Sequence, residues 1–434
     1  MINIRDTLKI EDNQLVIGGV KCVDLVEKYK TPLYVMDKAH IINMVNTYKN
    51  ALNKYYGFGQ VSYASKAFCC KEIYRIINNC GIGIDVVSDG ELYTALSVDF
   101  PADKIIFHGN NKTYNELFYA INSGVEYIVI DSLLEIELIQ AICQEKGVIQ
   151  NVLVRVNPGV EAHTHHYIQT AKVDSKFGFS LSDGSAEQAI KSIIKSSHLK
   201  LKGLHCHIGS QIFDDKAFIL AIDKMTDYYK YLKEALNLEL DVFNLGGGFG
   251  IYYSGDDRKM CYSDYESLIK SLCEKLLKDV DAKKIKKPYF IIEPGRSIVG
   301  EAGVTLYIAG SIKNIKDVKN YISIDGGMFE NPRFALYQAR YTVIPATKID
   351  RKFNVKYSIA GKCCESGDLI AEDCMLPEIK SGEILCVLST GAYNYSMSSN
   401  YNRNTVPAVI FVENGKSYQA VKRQTLDDIT RNDL

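Results

Sequence analysis

The chain has 434 residues, of which 47% are hydrophobic and 24% charged, and its formal net charge is −1. This composition is typical of a soluble globular protein, gives no general attraction to nucleic acid, and contains no stretch approaching the roughly 18 apolar residues that span a membrane. Because the first residues lack the apolar segment of a signal peptide, we expect a cytoplasmic protein that acts on neither nucleic acids nor membranes.

Two strand-like segments, residues 13–20 and 33–36, open the chain ahead of its regular part. Since they precede the repeating pattern that follows, they have no obvious partners within it. We expect residues 1–37 to contribute strands to a β-rich domain formed by the other end of the chain.

Eight short apolar runs alternate with amphipathic stretches in the middle of the chain. Amphipathic stretches such as 71–79, 133–145 and 217–236 are long enough to be crossover helices. The runs are residues 61–65, 82–87, 104–107, 126–130, 151–156, 202–206, 241–245 and 288–292. Eight strands that alternate with helices predict an α/β fold, a (β/α)₈ TIM barrel, over residues 38–303.

The pattern changes after about residue 304. Short alternating segments at 321–325, 341–344, 384–388 and 408–411 are separated by Gly and Pro turns. They predict a β-rich C-terminal domain over residues 304–434.

Chemically versatile side chains follow the predicted barrel strands, at the end where barrel enzymes place their active sites. Lys66 follows the first strand. Its amine could attack a carbonyl and form a Schiff base, the linkage by which lysines hold pyridoxal phosphate. A single lysine is more often a solvated surface charge, so Lys66 is a candidate that needs support from other residues.

The ends of the seventh and eighth strands carry further candidates. Gly246, Gly247 and Gly248 could let backbone N–H groups approach a phosphate, or could form a tight turn. Glu293 ends an apolar strand, so its carboxylate needs a partner. That partner could be a pyridinium nitrogen or the guanidinium of nearby Arg296.

His207 admits three interpretations: a core histidine, a metal ligand or a ring that stacks on a cofactor. The cluster of His163, His165 and His166 adds to the case for a metal site. However, the chain has no His-x-Glu-x-x-His motif or cysteine pair that would support one. None of the twelve cysteines lies in a Cys-x-x-Cys pair, so we expect reduced thiols and no metal. The loop around Cys364 could be part of a site or a polar turn.

Taken together, six segments resemble the fold-type III pyridoxal-phosphate decarboxylases over nearly the whole chain. Residues 163–165 and 174–178, together with Arg333 and Tyr337, resemble members that act on meso-diaminopimelate more than ornithine or arginine decarboxylases. The six segments are residues 63–66, 207–210, 246–248, 293–296, 364–368 and 391–393.

The resemblance implies an alanine racemase-like barrel with pyridoxal 5'-phosphate as cofactor. Lys66 would form the Schiff base, His207 would stack on the pyridine ring and Glu293 would pair with its nitrogen. The remaining residues expected to bind the cofactor are Ser210, Gly246, Gly247, Gly248, Gly295, Arg296 and Tyr393.

The resemblance also implies how a substrate is held and where a proton comes from. The distal carboxylate would meet Arg333 and Tyr337, and the distal ammonium would meet Glu365. Cys364, the expected proton donor, and Glu365 would come from the second subunit of a homodimer with shared active sites. The residues expected to bind substrate are Arg296, Arg333, Tyr337, Glu365 and Tyr393.

The implied reaction is decarboxylation of meso-2,6-diaminopimelate to L-lysine and CO₂, the last step of lysine biosynthesis. Two alternatives remain: a decarboxylase of another basic amino acid or polyamine precursor, and a non-catalytic cofactor-binding homologue. An amino-acid racemase is disfavoured, because such enzymes place a cationic partner where Glu293 would stand. The chain departs from the family at residues 362–363 and 402–404, neither of which is expected to touch a catalytic residue.

Overall fold

The computed structural model describes residues 8–160, 175–255 and 257–434. The histidines His163, His165 and His166 and the motif residue Asp174 lie outside these ranges. Among the described helices, none is both long enough and apolar enough to cross a membrane.

A small antiparallel sheet begins the described chain. It consists of β1 (Leu8–Glu11), β2 (Gln14–Ile17) and β3 (Val20–Lys21), and α1 (Cys22–Tyr29), β4 (Leu33–Asp37) and α2 (Lys38–Tyr55) follow it. The amide N–H of Leu15 donates to the carbonyl of Ala346 at 2.8 Å, so this small sheet is joined to the distant C-terminal part of the chain.

A closed parallel barrel occupies the middle of the chain. Its strands run in the order β9, β11, β12, β13, β5, β6, β7, β8, and β8 pairs again with β9 to close the ring, while β10 adds to β9. The elements are β5 (Gly59–Ala64), α3 (Lys71–Cys80), β6 (Gly83–Val86), α4 (Asp89–Leu96), β7 (Ile105–Phe107), α5 (Tyr114–Ser123), β8 (Tyr127–Ile130), α6 (Leu133–Lys146), β9 (Gln150–Asn157), β10 (Phe179–Ser180), α7 (Ser185–Ile194), β11 (Leu199–His205), α8 (Lys216–Leu236), β12 (Val242–Asn244), α9 (Tyr262–Lys283), β13 (Tyr289–Ile292) and α10 (Arg296–Val299).

The barrel prediction is therefore confirmed, and every predicted barrel strand overlaps an observed one. The strands are apolar on both faces because one face packs inside the barrel and the other meets the helices. Ile106, Val129, Leu153, Val242 and Ile291 form one buried cluster contributed by five strands. This packed interior leaves chemistry to the rim at the carboxyl ends of the strands.

The second large sheet confirms the predicted β-rich part. Its strand order is β18, β17, β15, β14, β4, β20, β21, with β19 pairing both β14 and β16. Its elements are β14 (Gly303–Ile315), β15 (Lys319–Ile324), α11 (Arg333–Tyr337), β16 (Val343–Pro345), β17 (Val355–Ala360), β18 (Leu369–Leu376), β19 (Ile384–Val387), β20 (Ala408–Glu413), β21 (Lys416–Val421) and α12 (Leu426–Thr430). Strand β4 lies between β14 and β20, so the sheet uses residues from both ends of the chain.

Several strands of this sheet were missed in the sequence. The second half of β14 is exposed, as are parts of β18 and β21, so these strands lack an uninterrupted apolar run. Their hydrogen bonds to neighbouring strands define them instead. The sheet meets the barrel rim directly, because the amide of Tyr393 donates to the carbonyl of Ala67 at 2.8 Å.

Candidate active site

Lys66 lies in a short 3₁₀ turn, Ser65–Ala67, immediately after β5. Its side chain is exposed, whereas the neighbouring carboxylate Asp85, on β6, is 5% exposed. Burial and the charge of Glu293 raise the pKa of Asp85 well above its ordinary value, while the Lys66 amine acts in the opposite direction. One oxygen of Asp85 has no hydrogen-bond partner within the described parts of the chain. The Lys66 amine therefore stands beside a buried acid that the sequence did not single out.

Glu293, which follows β13, is 5% exposed and lies among three nitrogen donors. His108 Nε2 is 3.0 Å and Asn244 Nδ2 2.7 Å from its Oε1, and His205 Nε2 is 3.2 Å from its Oε2. Burial alone would raise the pKa of Glu293, but its histidine neighbours hold that pKa well below the ordinary value. The alternative ion pair with Arg296 is wrong, since the two side chains have different partners.

His108, His205 and Glu293 also have the spacing of a metal site, since one potential ligand atom from each lies within 4.8 Å of the others. The sequence predicted no metal here. The contacts to Glu293 give both histidines a different role, because each can donate its Nε2–H to a carboxylate that only accepts.

The glycine run after β12 is tightly enclosed by the neighbouring rim segments. A Cβ on Gly247 would lie 2.1 Å from the carbonyl oxygen of Glu293. Gly248 has a φ of +112°, and a Cβ there would lie 2.3 Å from the carbonyl oxygen of Gly209. Side chains are therefore excluded at Gly247 and Gly248, which supports the tight-turn interpretation.

His207 and Ser210 follow β11 and face this glycine run. The Gly247 N–H donates to Nδ1 of His207 at 3.3 Å, and burial lowers the pKa of His207 well below its ordinary value, so the ring is neutral. The hydroxyl of Ser210 accepts from Nε and Nη2 of Arg296 at 3.3 and 3.0 Å. Contacts thus join four predicted cofactor-binding residues in two pairs, His207 with Gly247 and Ser210 with Arg296.

Arg296 and Arg333 share a pair of tyrosine rings. The Cζ atom of Arg296 lies 5.7 Å from the ring centre of Tyr253 and 4.6 Å from that of Tyr393. The Cζ atom of Arg333 lies 4.9 and 5.9 Å from the same two centres. The two guanidinium groups, from the barrel and from the second sheet, therefore meet at one place.

Both guanidinium groups are buried, and neither pairs with a carboxylate of the described residues. Arg296 is 6% and Arg333 7% exposed. Arg296 donates to the Tyr253 hydroxyl at 2.5 Å and Arg333 to the Tyr341 hydroxyl at 2.8 Å. Within residues 8–160, 175–255 and 257–434, no Asp or Glu forms an ion pair with either arginine. Two buried positive charges of this kind favour anionic ligands.

Three other predicted substrate or proton-transfer residues lie on the surface of this chain. Tyr337, at the end of α11, is 40% exposed, and Cys364 and Glu365 lie in an exposed loop. Asp368 organises that loop, since its carboxylate accepts from the amides of Cys363 at 2.7 Å and Met328 at 2.6 Å. Among the described residues, no hydrogen bond or ion pair joins Cys364 or Glu365 to Lys66, so their place in the same site stays a prediction.

One expectation about the departures from the family is wrong. The amide N–H of Cys364 donates to Oδ1 of Asn402 at 2.8 Å, and Asn404 Nδ2 lies 3.8 Å from the sulfur of Cys363. The two departures thus touch each other and support the loop that carries the expected proton donor. These residues are about 40 positions apart in the chain, and no local sequence pattern predicts their contact.

The chain is similar to known proteins over nearly its whole length. Residues 38–300 match the family described as "Pyridoxal-dependent decarboxylase, pyridoxal binding domain". Diaminopimelate decarboxylase of Bacillus subtilis is 46% identical over 424 residues, covering 98% of this chain and 96% of that protein. The enzyme of that name from Bacillus methanolicus is 48% identical over 414 residues, covering 95% of each.

This chain belongs to the diaminopimelate decarboxylase family. A crystal structure of a family member from M. jannaschii in complex with L-lysine superposes with a TM-score of 0.91 at 35% identity, covering 99% of this chain and 98% of that one. The Helicobacter pylori member complexed with L-lysine gives a TM-score of 0.85 at 29% identity, with coverages of 94% and 98%.

As a diaminopimelate decarboxylase family member, the chain has a donor set that fits pyridoxal phosphate. Glu293 offers a buried hydrogen-bond acceptor, and Arg296 and Ser210 offer a cation and a hydroxyl to an anionic group such as a phosphate. The sequence places His108 and His205 at the predicted rim but indicates no role for them, and it does not single out Asn244 or Tyr253. His108 directly follows a barrel strand, and His205 and Asn244 each end one. This position at the rim was the only feature of the sequence that could have indicated them.

Proposed function

We propose that this chain decarboxylates meso-2,6-diaminopimelate to L-lysine and CO₂ with pyridoxal 5'-phosphate as its cofactor, completing lysine biosynthesis in the cytoplasm. Its relatives from two Bacillus species carry the corresponding enzyme name, and two similar solved structures contain L-lysine, the product of this reaction. The domain division that supports this function is 1–37, 38–303 and 304–434.

The observation that carries the choice of substrate is the buried guanidinium of Arg333. It has tyrosine neighbours but no carboxylate partner among the described residues, and it shares Tyr253 and Tyr393 with Arg296. A distal carboxylate is what distinguishes diaminopimelate from lysine or ornithine. A substrate that brings this group satisfies Arg333, and one that lacks it leaves a buried charge unpaired, which is a strong basis for selectivity.

The cofactor site is assigned to the rim around β5, β11, β12 and β13. When bound, pyridoxal phosphate withdraws electrons from the bonds at the substrate α-carbon. Lys66 would supply the amine that holds the cofactor, Glu293 would accept a hydrogen bond from the ring nitrogen, and His207 would pack against the ring. The residues that would bind the phosphate are Ser210, Gly246, Gly247, Gly248, Gly295 and Arg296, and Tyr393 would also reach the cofactor.

The protonation that follows loss of CO₂ is assigned to Cys364, whose Sγ would give its proton to the α-carbon. Because Cys364 and Glu365 lie in an exposed loop and the family resemblance implies sites shared between subunits, we assign them to the site of a second copy in a homodimer. The exposed loop is held rigid by Asp368 and Asn402, so it is suited to insert as a unit.

The function is tested by measuring CO₂ release from the purified protein supplied with pyridoxal phosphate. Meso-diaminopimelate, ornithine, arginine and carboxynorspermidine are compared in parallel. We expect turnover of diaminopimelate with stoichiometric lysine. Faster turnover of one of the other amines would replace the proposed substrate, and retention of the cofactor without any turnover would favour a non-catalytic homologue.

A further inference from the structure

Glu293 is surrounded by donors that account for most of its hydrogen-bonding capacity. An ionised carboxylate has about four lone-pair positions, two on each oxygen. On Oε1, one position faces His108 Nε2 at 3.0 Å and the other faces Asn244 Nδ2 at 2.7 Å. On Oε2, one position faces His205 Nε2 at 3.2 Å. Among the described residues, the fourth position, on Oε2, has no donor.

The geometry points to His108 and His205 as positioning residues that hold Glu293 so that the remaining lone pair of its Oε2 receives the pyridine N–H of the cofactor. This rests on the proposed use of pyridoxal phosphate and extends it to two residues with no assigned role. Neither histidine needs to touch the cofactor. Each acts through Glu293, whose orientation and ionisation it controls.

The donors around Glu293 are themselves held in place. Asn244 is 0% exposed, and its Oδ1 accepts from the Gly246 N–H at 2.9 Å, which leaves its amide nitrogen directed to Glu293. The rings of His108 and His205 pack edge to face, with centres 4.7 Å apart. Each therefore restricts the rotation of the other, and the donor arrangement is already formed.

The protonation state of His205 is consistent with donation from Nε2. Burial lowers the pKa of His205 to about 3, so its ring is neutral and carries one N–H. Because the carboxylate only accepts, that hydrogen belongs on Nε2. The Nδ1 atom of His205 is buried and has no hydrogen-bond partner among the described residues, as expected for an acceptor on the other side of the ring.

Two further groups near Glu293 respond to its charge. The negative charge of Glu293 helps raise the pKa of Asp85, which favours the neutral form of that acid, and Arg155 attracts Glu293. Without the two imidazoles, burial would dominate and favour the neutral acid. A neutral Glu293 would no longer stabilise a protonated ring nitrogen, and the cofactor would be both a weaker electron sink and less tightly held.

The test compares apolar and amide replacements of each histidine in the holoenzyme. His205→Leu and His108→Leu remove the donor, whereas His205→Gln and His108→Gln place an amide N–H within similar reach. His198, which lies just before the opposite end of β11, provides matched controls in His198→Leu and His198→Gln. Cofactor release and the visible absorption maximum are measured without substrate, and kcat and KM are measured with it.

We expect the Leu variants to release the cofactor about 10-fold to 100-fold faster, the range given by loss of a hydrogen bond to a charged group. Their absorption maximum should shift, and kcat should fall with little change in KM. The Gln variants should recover most of each property, and the His198 variants should match the wild type. A merely structural role would lower thermal stability without shifting the absorption maximum and without rescue by Gln.

Wild-type cofactor release and absorption in a folded Leu variant would overturn the inference. If a Leu variant does not fold, His205→Asn provides the same test, because its shorter amide cannot reach Oε2; wild-type behaviour there would again overturn it. The cofactor measurements do not involve diaminopimelate. Altered cofactor binding in a protein that does not decarboxylate diaminopimelate would refute the proposed substrate and leave this inference intact.

Discussion

Replacement of Arg333 by methionine tests how the substrate's far end is recognised. The Arg333 side chain is 7% exposed and lies against the rings of Tyr253 and Tyr341, with Cζ 4.9 and 5.8 Å from their centres. Methionine retains an unbranched apolar chain that can pack between these rings. Arg333→Met therefore removes the charge while preserving most of the packing.

The expected effect follows from the burial of the charge. Removing one partner of a buried, hydrogen-bonded ion pair costs about 3 to 5 kcal/mol. Because Arg296 shares two tyrosine rings with Arg333 and remains as a second cation, we take the lower end, about 3 kcal/mol, which corresponds to roughly 150-fold in kcat/KM for diaminopimelate. The free energy of unfolding should change by less than about 1 kcal/mol, since a buried guanidinium without a carboxylate partner stabilises the fold little.

The assay is CO₂ release from diaminopimelate and from L-lysine, each over a full range of concentration. Lysine lacks the distal carboxylate, so Arg333→Met should narrow the preference for diaminopimelate over lysine. Arg340, an exposed arginine seven residues later, provides the matched control Arg340→Met. If Arg333→Met kept kcat/KM within about threefold of the wild type and kept the same preference, the distal carboxylate would be recognised elsewhere.

Three other outcomes are expected. Borohydride reduction of the holoenzyme should attach the pyridoxyl group to the peptide that contains Lys66, and Lys66→Ala should remain unlabelled; labelling of the variant would assign another lysine. Mixed Lys66→Ala and Cys364→Ala chains should regain part of the wild-type activity if two copies share each site, whereas inactive mixtures despite proven subunit exchange would contradict this sharing. Glu330 is fully buried, and burial raises its pKa to about 8, above its unfolded value near 4.5. Protonated Glu330 contributes its full stability below about pH 4.5, and this contribution is lost as the pH rises through about 8. The free energy of unfolding should therefore decrease less between about pH 6 and about pH 9 in Glu330→Gln than in the wild type. An equal decrease in both proteins would show that another group causes it.

The sequence by itself determined the barrel and the positions of its main candidates. Apolar runs of strand length that alternate with amphipathic stretches are local patterns, and they located every barrel strand. Lys66 and Glu293 could be singled out because each directly follows a strand whose end must reach the active-site rim. The exposed halves of β14 and β21 carry no such pattern, so those strands escaped prediction.

Only the tertiary structure decided which side chains meet. His108 and His205 follow or end strands far apart in the chain, and closure of the barrel brings both to Glu293. Arg333 reaches Arg296 only because the second sheet docks on the rim and places Tyr393 between them. The periodicity of a sequence segment predicts which of its own residues are buried. The contacts described here depend on how separate segments pack against one another, and no local sequence pattern predicts that packing.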